Sequence, residues 1–469
     1  MSTDGSPSPE GVDRDPAAEG AQMHLFDAEA EALAGRIFDY VGARLGRAPL
    51  LNAPASEQEL ARLTGPTVTD DGLGAEEALR IFREVLAPAC VDPSHPRFLS
   101  FVPNVPTTAS TLFDIAVSAS NIFADWWIEG AGAIHAENQA LRWIADLLEW
   151  PAEAGGVFVS GATAGNLSAL AVGRDAHRRR HAGDPRPAAV ALAAGGHSSL
   201  WLAARVLDLD VLEVPGDDRG RMLGPALREA LLGSEIEPCV VAATAGTTNI
   251  GVIDDLAGIA DVCEEHELWL HVDGAYGGAA LAAPTVRDRF AGVERADSFV
   301  VDPHKWLFAP LDCAALLYRD PAQARAAFTQ RAEYIDPIES RGEWNPSDYA
   351  VHLSRRARGL PFWFSLATHG ARAYTEAVEY GLALARRAAE LITAAPHLEL
   401  LFEPVLSVVV FRRNGWQSGD YEAWSGKALA DGLTLTAPTS WDGETVLRFC
   451  FVNPATTVAD VQQIIDSLR

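Results

Sequence analysis

Lysine is almost missing from this chain. Of the 37 lysines and arginines in 469 residues, only Lys305 and Lys427 are lysine and the other 35 are arginine. On a solvated surface that exchange costs little, because either side chain carries a positive charge on a flexible stem. The exception is chemistry that needs an amine. A guanidinium keeps its proton, whereas a desolvated ammonium can lose one and attack a carbonyl carbon to form a Schiff base. A lysine that survives is either there by chance or there for its amine. Lys305, in SFVVDPHKWLFAPLDCAALLYRD, is therefore a candidate covalent residue, while Lys427, in SGKALADGL, reads as an exposed helix lysine.

Other scarcities narrow the classes further. The five cysteines, at 90, 239, 263, 313 and 450, include no CxxC pair, and three sit in strongly apolar runs, a pattern of buried thiols in a reducing compartment. Positive charge is short overall: a formal charge of -27 argues against nucleic acid or an anionic membrane surface as a partner. No uncharged apolar stretch reaches the roughly 20 residues of a membrane helix. Residues 1–22 lack the basic start and apolar run of a signal peptide and read as a disordered tail. A cytoplasmic protein is expected. No GxGxxG follows an early strand and no GxxxxGK[ST] occurs, which argues against a nucleotide-binding enzyme.

The chain is long enough for two or three domains. Apolar spacing predicts an N-terminal helical segment over 23–90, with helices at His24–Leu45 and Ala75–Leu86. From about residue 150, seven short apolar runs alternate with helical patterns: VFVS, AVALAA, VLEV, CVVAATAG, LWLHVDGA, SFVVD and CAALLYR. They predict an α/β large domain with a mostly parallel seven-stranded sheet, bounded here at 91–360. Tyr334–Ser354 is rich in charged and turn-forming residues and reads as a mobile loop. A long helix near Pro361–Ala394 opens a small C-terminal α+β domain, 361–469, with strands near Ser407–Arg412 and Thr445–Phe451, a helix from about Tyr421 and a closing helix from Val458.

In an open α/β sheet, ligands bind at the carboxyl ends of the strands, so the polar residues after each apolar run come first. VFVS runs into GATAGNLSALAVGRDA, a small-residue turn opening a helix. Its free N–H groups at Gly161, Ala162 and Thr163, with hydroxyls of Thr163 and Ser160, suit a phosphate, although the same turn is also a plain tight turn. AVALAAGGHSSLW delivers His197 at a helix start, where histidines are also common as caps. CVVAATAGTTNIG delivers Thr247 and Thr248. LWLHVDGAYGG delivers Asp273, which needs a cationic partner, a protonated pyridine nitrogen being one, or else caps the next turn. The order phosphate turn, His, Thr pair, Asp, HisLys at successive strand ends is what makes chance agreement improbable.

These residues resemble the group II pyridoxal phosphate (PLP) decarboxylases, of PLP fold type I, which include aromatic-L-amino-acid, tyrosine and glutamate decarboxylases. HVDGAYGG is similar to that family's HVDAAYAG, VDPHKWL to its NPHKWL or DPHKWL, and VLRFCFVNPATTVADV to its C-terminal LRF and NP.TT..DV segment. The resemblance runs from about His95 to the end of the chain. It implies that Lys305 holds PLP, Asp273 pairs with the pyridine nitrogen, His197 stacks on one ring face and Ala275 packs on the other. It also implies that Gly161, Ala162, Thr163 and Asp302 hold the phosphate, that Thr248 lies near Asp273, and that His304 contacts cofactor or substrate. A loop tyrosine supplies the proton in this family; Tyr334 and Tyr349 are available here, and SDY favours Tyr349. A homodimer is implied as well.

Two segments depart from the family's pattern. The phosphate turn, close to SGGTEAN or SASEAT in the family, is ATAGN here with Ala164 in the acidic position, and the pocket segment SPxxTELE is GAGAIHAE, Gly130–Glu137. No lysine or arginine occurs from Phe98 to Leu141, whereas Phe98, Phe101, Phe123, Trp126 and Trp127 do, which favours an aromatic or large aliphatic L-amino acid unless those rings are core or interface. Asp125 and Glu129 leave a basic substrate open. The expected reaction is decarboxylation to an amine. Oxidative deamination to an aldehyde and carbon-carbon cleavage are alternatives on the same fold, and a non-catalytic scaffold would have no need of Lys305, Asp273 and His197 together.

Overall fold

A computed structural model describes residues 23–182, 188–329 and 343–469. The tail expected over 1–22, and Tyr334, lie outside the described residues. The described residues before 92, apart from 49–51, form one compact unit, and 49–51 with 92–469 form another.

The first unit is helical. Asp27 caps the helix Ala28–Gly46 by accepting from the amides of Glu29 and Ala30 at 3.1 and 3.0 Å, and Ser56 caps Glu57–Thr64 by accepting from Glu59 N at 3.2 Å. A third helix, Ala75–Ile81, continues into a π turn at Phe82–Leu86. The first two helices bury none of their residues fully.

The second unit is built on a sheet of seven strands: β1 Gly155–Val159, β2 Ala189–Ala193, β3 Asp210–Val214, β4 Val240–Thr244, β5 Trp269–Asp273, β6 Ser298–Val301 and β7 Ala314–Tyr318. Their order is β1-β7-β6-β5-β4-β2-β3. Only β7 runs against the rest, antiparallel to both β6 and β1. The predicted runs all become strands, and five of the seven are buried at every residue, because helices cover both faces of a parallel sheet. Gly156 has no alternative in β1, since a Cβ there would collide with the Leu316 carbonyl oxygen.

This topology sends the carboxyl ends of β1, β2, β4, β5 and β6 to one edge. The chain turns back from β6 to β7 at that edge, so residues 302–313, with Lys305 among them, form a return loop there. Trp306 anchors the loop, fully buried and stacked on Tyr276 at 5.5 Å.

A second sheet, of β8 Leu398–Leu400, β9 Val408–Arg413, β10 Pro438–Trp441 and β11 Glu444–Cys450, is antiparallel in the order β10-β11-β9-β8. It carries the expected helices at Ser418–Ala430 and Val458–Ser467. The boundary expected at 361 does not divide compact units. Helix Leu360–Ala394, bent at Gly370, packs on helices Thr108–Ser120 and Trp127–Leu147 as well as on β8, β9 and the closing helix, and its two buried stretches, on either side of exposed residues 367–372, belong to one unit with both sheets.

The loop expected to be mobile over 334–354 is, in its described part, packed. Residues 345–350 are buried, and Asn345 Oδ1 accepts from Trp127 N at 3.0 Å. The reason is a buried clamp that polar composition does not reveal. Arg355 donates its backbone N–H to Asp125 Oδ2 at 2.7 Å, its Nε to Ala124 O at 3.0 Å, and one Nη to Phe158 O at 3.1 Å, and it pairs with Glu137 through the other. Glu137 accepts from Gly359 N at 2.8 Å with its second oxygen. Burial pushes Asp125 up to about 7 and raises Glu137 too. Removing the cation takes away the direct partner of Glu137 and leaves only the more distant Arg358 to act on both carboxyls. Arg355→Met is expected to cost roughly 3–5 kcal/mol, read as a clear drop in melting temperature; an unchanged melting curve would refute the clamp.

Candidate functional site

The carboxyl edge of the seven-stranded sheet holds a cavity of about 420 Å³. Each element contributes the residues that end its strand. After β1, Gly161 N-caps the helix Ala162–Arg180, which has no side-chain cap. The amides of Ala164 and Gly165 already donate to Gly161 O at 3.0 and 3.1 Å, and the cavity wall includes Gly161, Ala162 and Thr163. A nineteen-residue helix thus offers its positive end to the cavity. After β2, Gly195 and Gly196 lead to His197, the N-cap of helix Ser198–Val206. After β4 come Gly246, Thr247 and Thr248. Gly246 is required as glycine: its φ is +109°, and a Cβ would meet Gly277 Cα at 2.7 Å.

Asp273 closes β5, and both of its oxygens accept. Oδ1 takes the amide of Ala275 at 3.0 Å, and Oδ2 takes Asn166 Nδ2 at 2.9 Å. In the return loop, Lys305 Nζ lies 2.7 Å from Asp302 Oδ2. His304 Nδ1 accepts from Cys313 N at 3.0 Å, which leaves Nε2 3.6 Å from the same Asp302 oxygen. Burial holds the imidazole of His304 below its usual value. Two buried polar atoms among the cavity residues, Asp302 Oδ1 and Thr244 Oγ1, have no partner among the described residues.

The structure therefore gathers Gly161, Ala162, Thr163, His197, Thr248, Asp273, Ala275, Asp302, His304 and Lys305 around one cavity. It does not bring Tyr349 there. That phenol is buried on the other side of β7: stacked on Trp344 at 4.2 Å, it accepts from Arg325 Nη2 at 3.0 Å, and burial raises it to about 12. The segment is polar in composition, yet the Tyr349 carbonyl is captured by the hydroxyl of Tyr318, at 3.0 Å. Reading strand ends passed over Asn166 and Ser199, which lie inside helices, and His271, which lies inside β5. Thr244 and the glycines at 195, 196 and 246 went unread as well.

A lysine amine, a buried carboxylate acceptor and an uncapped helix N-terminus on one cavity define a class of protein: one that holds a phosphorylated carbonyl cofactor through lysine. The donor set fits that group, and the two orphaned polar atoms want the partners it would bring. Residues 58–414 match the pyridoxal-dependent decarboxylase conserved domain, and the chain belongs to that family. It is 31% identical over 418 residues to an aromatic-L-amino-acid decarboxylase of Bacillus atrophaeus, covering 86% of each chain. It is 33% identical over 377 residues to an L-2,4-diaminobutyrate decarboxylase of Rhizobium meliloti, covering 76% of this chain and 73% of that one. Among solved structures, Oryza sativa TDC with PLP and tryptamine shares the fold at a TM-score of 0.86 and 24% identity, over 97% of this chain and 99% of that one. Rhodiola rosea 4-hydroxyphenylacetaldehyde synthase does so at 0.85 and 21%, over 94% and 98%. The fold is PLP fold type I, and the protein is a PLP-dependent amino-acid decarboxylase.

With only two lysines, the covalent residue is easily checked. After loading with PLP and borohydride reduction, the adduct is expected on the peptide that contains Lys305 and to be absent from Lys305→Ala; an adduct on Lys427 would overturn the assignment.

Proposed function

We propose that this enzyme removes the α-carboxylate of an L-amino acid with an aromatic or large apolar side chain, releasing carbon dioxide and the amine, with Lys305 as the residue that carries the cofactor. The observation behind this reading is the meeting of Lys305, Asp273 and His197 on one cavity. The cofactor, when bound, supplies a sink for the electron pair left as the carboxylate departs. The chain's own residues do the rest. Gly161, Ala162 and Thr163 would hold the phosphate, Asp273 would offer a fixed acceptor to the ring nitrogen, and His197 and Ala275 would bound the ring. Asp302 pairs with Lys305 Nζ at 2.7 Å and fixes its position in the cavity. His304, kept below its usual value by burial, faces that pair as a neutral imidazole.

The side-chain preference rests on the absence of Lys and Arg over 98–141 and on aromatic pairs there, Phe123 with Trp126 at 5.7 Å and Phe98 with Phe101 at 6.5 Å. Asp125 is a poor receptor for a basic substrate, since it is wholly buried and already held by Arg355. Glu129 is exposed. A homodimer belongs to the same proposal. Helix Ala28–Gly46 buries none of its residues fully and leaves Phe38 58% exposed, an apolar face of the sort a second copy covers. The five cysteines are unpaired and four of them buried, which suits the reducing cytoplasm.

With Tyr349 walled off, the argument from that residue for simple protonation falls away, and the aldehyde-forming outcome stays a second reading. A panel of L-amino acids scored for carbon dioxide, amine, ammonia and peroxide separates the two. Aromatic substrates are expected to give amine and carbon dioxide in equal amounts. Ammonia with peroxide would establish the oxidative outcome, and preferential turnover of diaminobutyrate would overturn the side-chain assignment. Tyr349→Phe is expected to keep kcat within about threefold of the parent, because the phenol does not reach the cavity; a loss of ~100-fold or more, the scale of a lost proton donor, would restore it to the mechanism.

A further inference from the structure

Behind the cavity wall lies a chain of buried polar side chains that the reaction as described does not use. Trp269 Nε1 donates to Ser298 Oγ at 2.9 Å, and Ser298 Oγ meets His271 Nδ1 at 2.9 Å. His271 Nε2 meets Asn166 Oδ1 at 2.9 Å. Asn166 Nδ2 then reaches both Asp273 Oδ2 and Ser199 Oγ, each at 2.9 Å, and Ser199 Oγ meets His197 Nδ1 at 2.8 Å. Ser298, His271 and Asn166 are wholly buried, and Trp269, Ser199 and Asp273 are each 3% exposed, so no water competes for these bonds.

The two ends fix the direction of the whole chain. An indole N–H can only donate, and a carboxylate can only accept. Ser298, having accepted from Trp269, gives its own proton to His271 Nδ1. Burial keeps His271 neutral, pushed down to about 4, so its single proton sits on Nε2 and is donated to the Asn166 carbonyl. That turns both amide protons of Asn166 outward, one to Asp273 and one to Ser199. Ser199, which also gives its backbone N–H to His197 Nδ1 at 3.2 Å, gives its hydroxyl proton to the same nitrogen. His197 is thereby left with its proton on Nε2. Every donor has an acceptor, and turning the Asn166 amide over would place its carbonyl oxygen against the Asp273 carboxylate.

We propose that Asn166 and His271 are positioning residues, which pass the donor direction set by Trp269 to Asp273 and His197 so that both cofactor-facing groups are held in one protonation pattern and one orientation. The inference rests on the cofactor reading of the cavity for its use, but not for its existence. Asp273 would present to a ring nitrogen a carboxylate with each oxygen already held by one N–H, and His197 lies with its Nδ1 tied back.

The first test needs no cofactor. In the cofactor-free protein with 15N-labelled histidine, long-range proton–nitrogen correlations are expected to show His271 and His197 both protonated at Nε2 alone, with the signals assigned by their loss in His271→Gln and His197→Gln. Protonation of His271 at Nδ1, or of both of its nitrogens at neutral pH, would overturn the proposal. The second test acts at a distance. Trp269→Phe keeps the buried ring but removes the starting donor. It is expected to give His271 a mixture of tautomers and to weaken PLP binding several-fold, while Asn166→Leu, which removes the donor to Asp273, weakens it about 10-fold or more. A merely structural role would lower the melting temperature of Trp269→Phe and leave the tautomer of His271 as it was, and that result would also overturn the proposal. If the tautomers are as expected but PLP does not bind, the cofactor reading fails while the relay stands.

Discussion

A buried carboxylate must be met by donors, and the architecture around the site depends on meeting the one on Asp273. The residue ends a strand that is buried along its length, where an unpaired charge would cost several kcal/mol. Two N–H donors answer it, one from its own turn at Ala275 and one from Asn166 on the helix after β1. The same helix points its N-terminus into the cavity, so a single element both secures the carboxylate and offers the anion site. Lys305 arrives from the opposite side, on the return loop made necessary by the one antiparallel strand. The parallel sheet collects the residues, and the reversal at β7 supplies the amine.

The strands were legible because they are short, apolar and punctuated, and because the residues just past the carboxyl ends of parallel strands share one edge of the sheet. That is why His197, Thr248, Asp273, Asp302 and Lys305 could be named together from spacing and from the resemblance. The residues that escaped notice had the opposite character. Asn166 and Ser199 sit within helical patterns where a polar residue reads as a surface position, and β8 and β10 are too short and too mixed to announce themselves. The burial of Tyr349 was not legible because the composition of 343–354 is that of a solvated loop, whereas Arg355 binds the segment to Asp125 and Glu137 in the interior.

The scarcity of lysine has a physical reading at both remaining positions. Lys427 is three-quarters exposed and pairs with Asp431 one turn on, a role any cation could fill. Lys305 is only 22% exposed and faces a carboxylate that is itself 3% exposed. An arginine placed there would satisfy Asp302 at least as well, with a planar fork, and could not form the covalent link. Charge pairing alone does not explain a lysine at position 305; the proposed covalent role of its amine does.

The departure at the phosphate turn belongs to the same geometry. Where relatives resembled by this motif carry an acidic residue, this chain has Ala164, then Gly165 and Asn166. A Cβ at Gly165 would meet Val300 Cγ2 at 2.7 Å, and one at Gly173, two turns further, would meet Val240 Cγ2 at 2.6 Å and the ring of Trp269 at 2.9 Å. The two glycines let the helix lie against β4, β5 and β6 more closely than any side chain allows. Only at that distance can the short amide of Asn166 touch Asp273 and His271 together, and only there does Trp269 sit under the helix as the first donor of the chain. Small residues in the turn thus do more than open the helix end to the cavity: they set the spacing at which one asparagine can hold Asp273, His271 and Ser199 together.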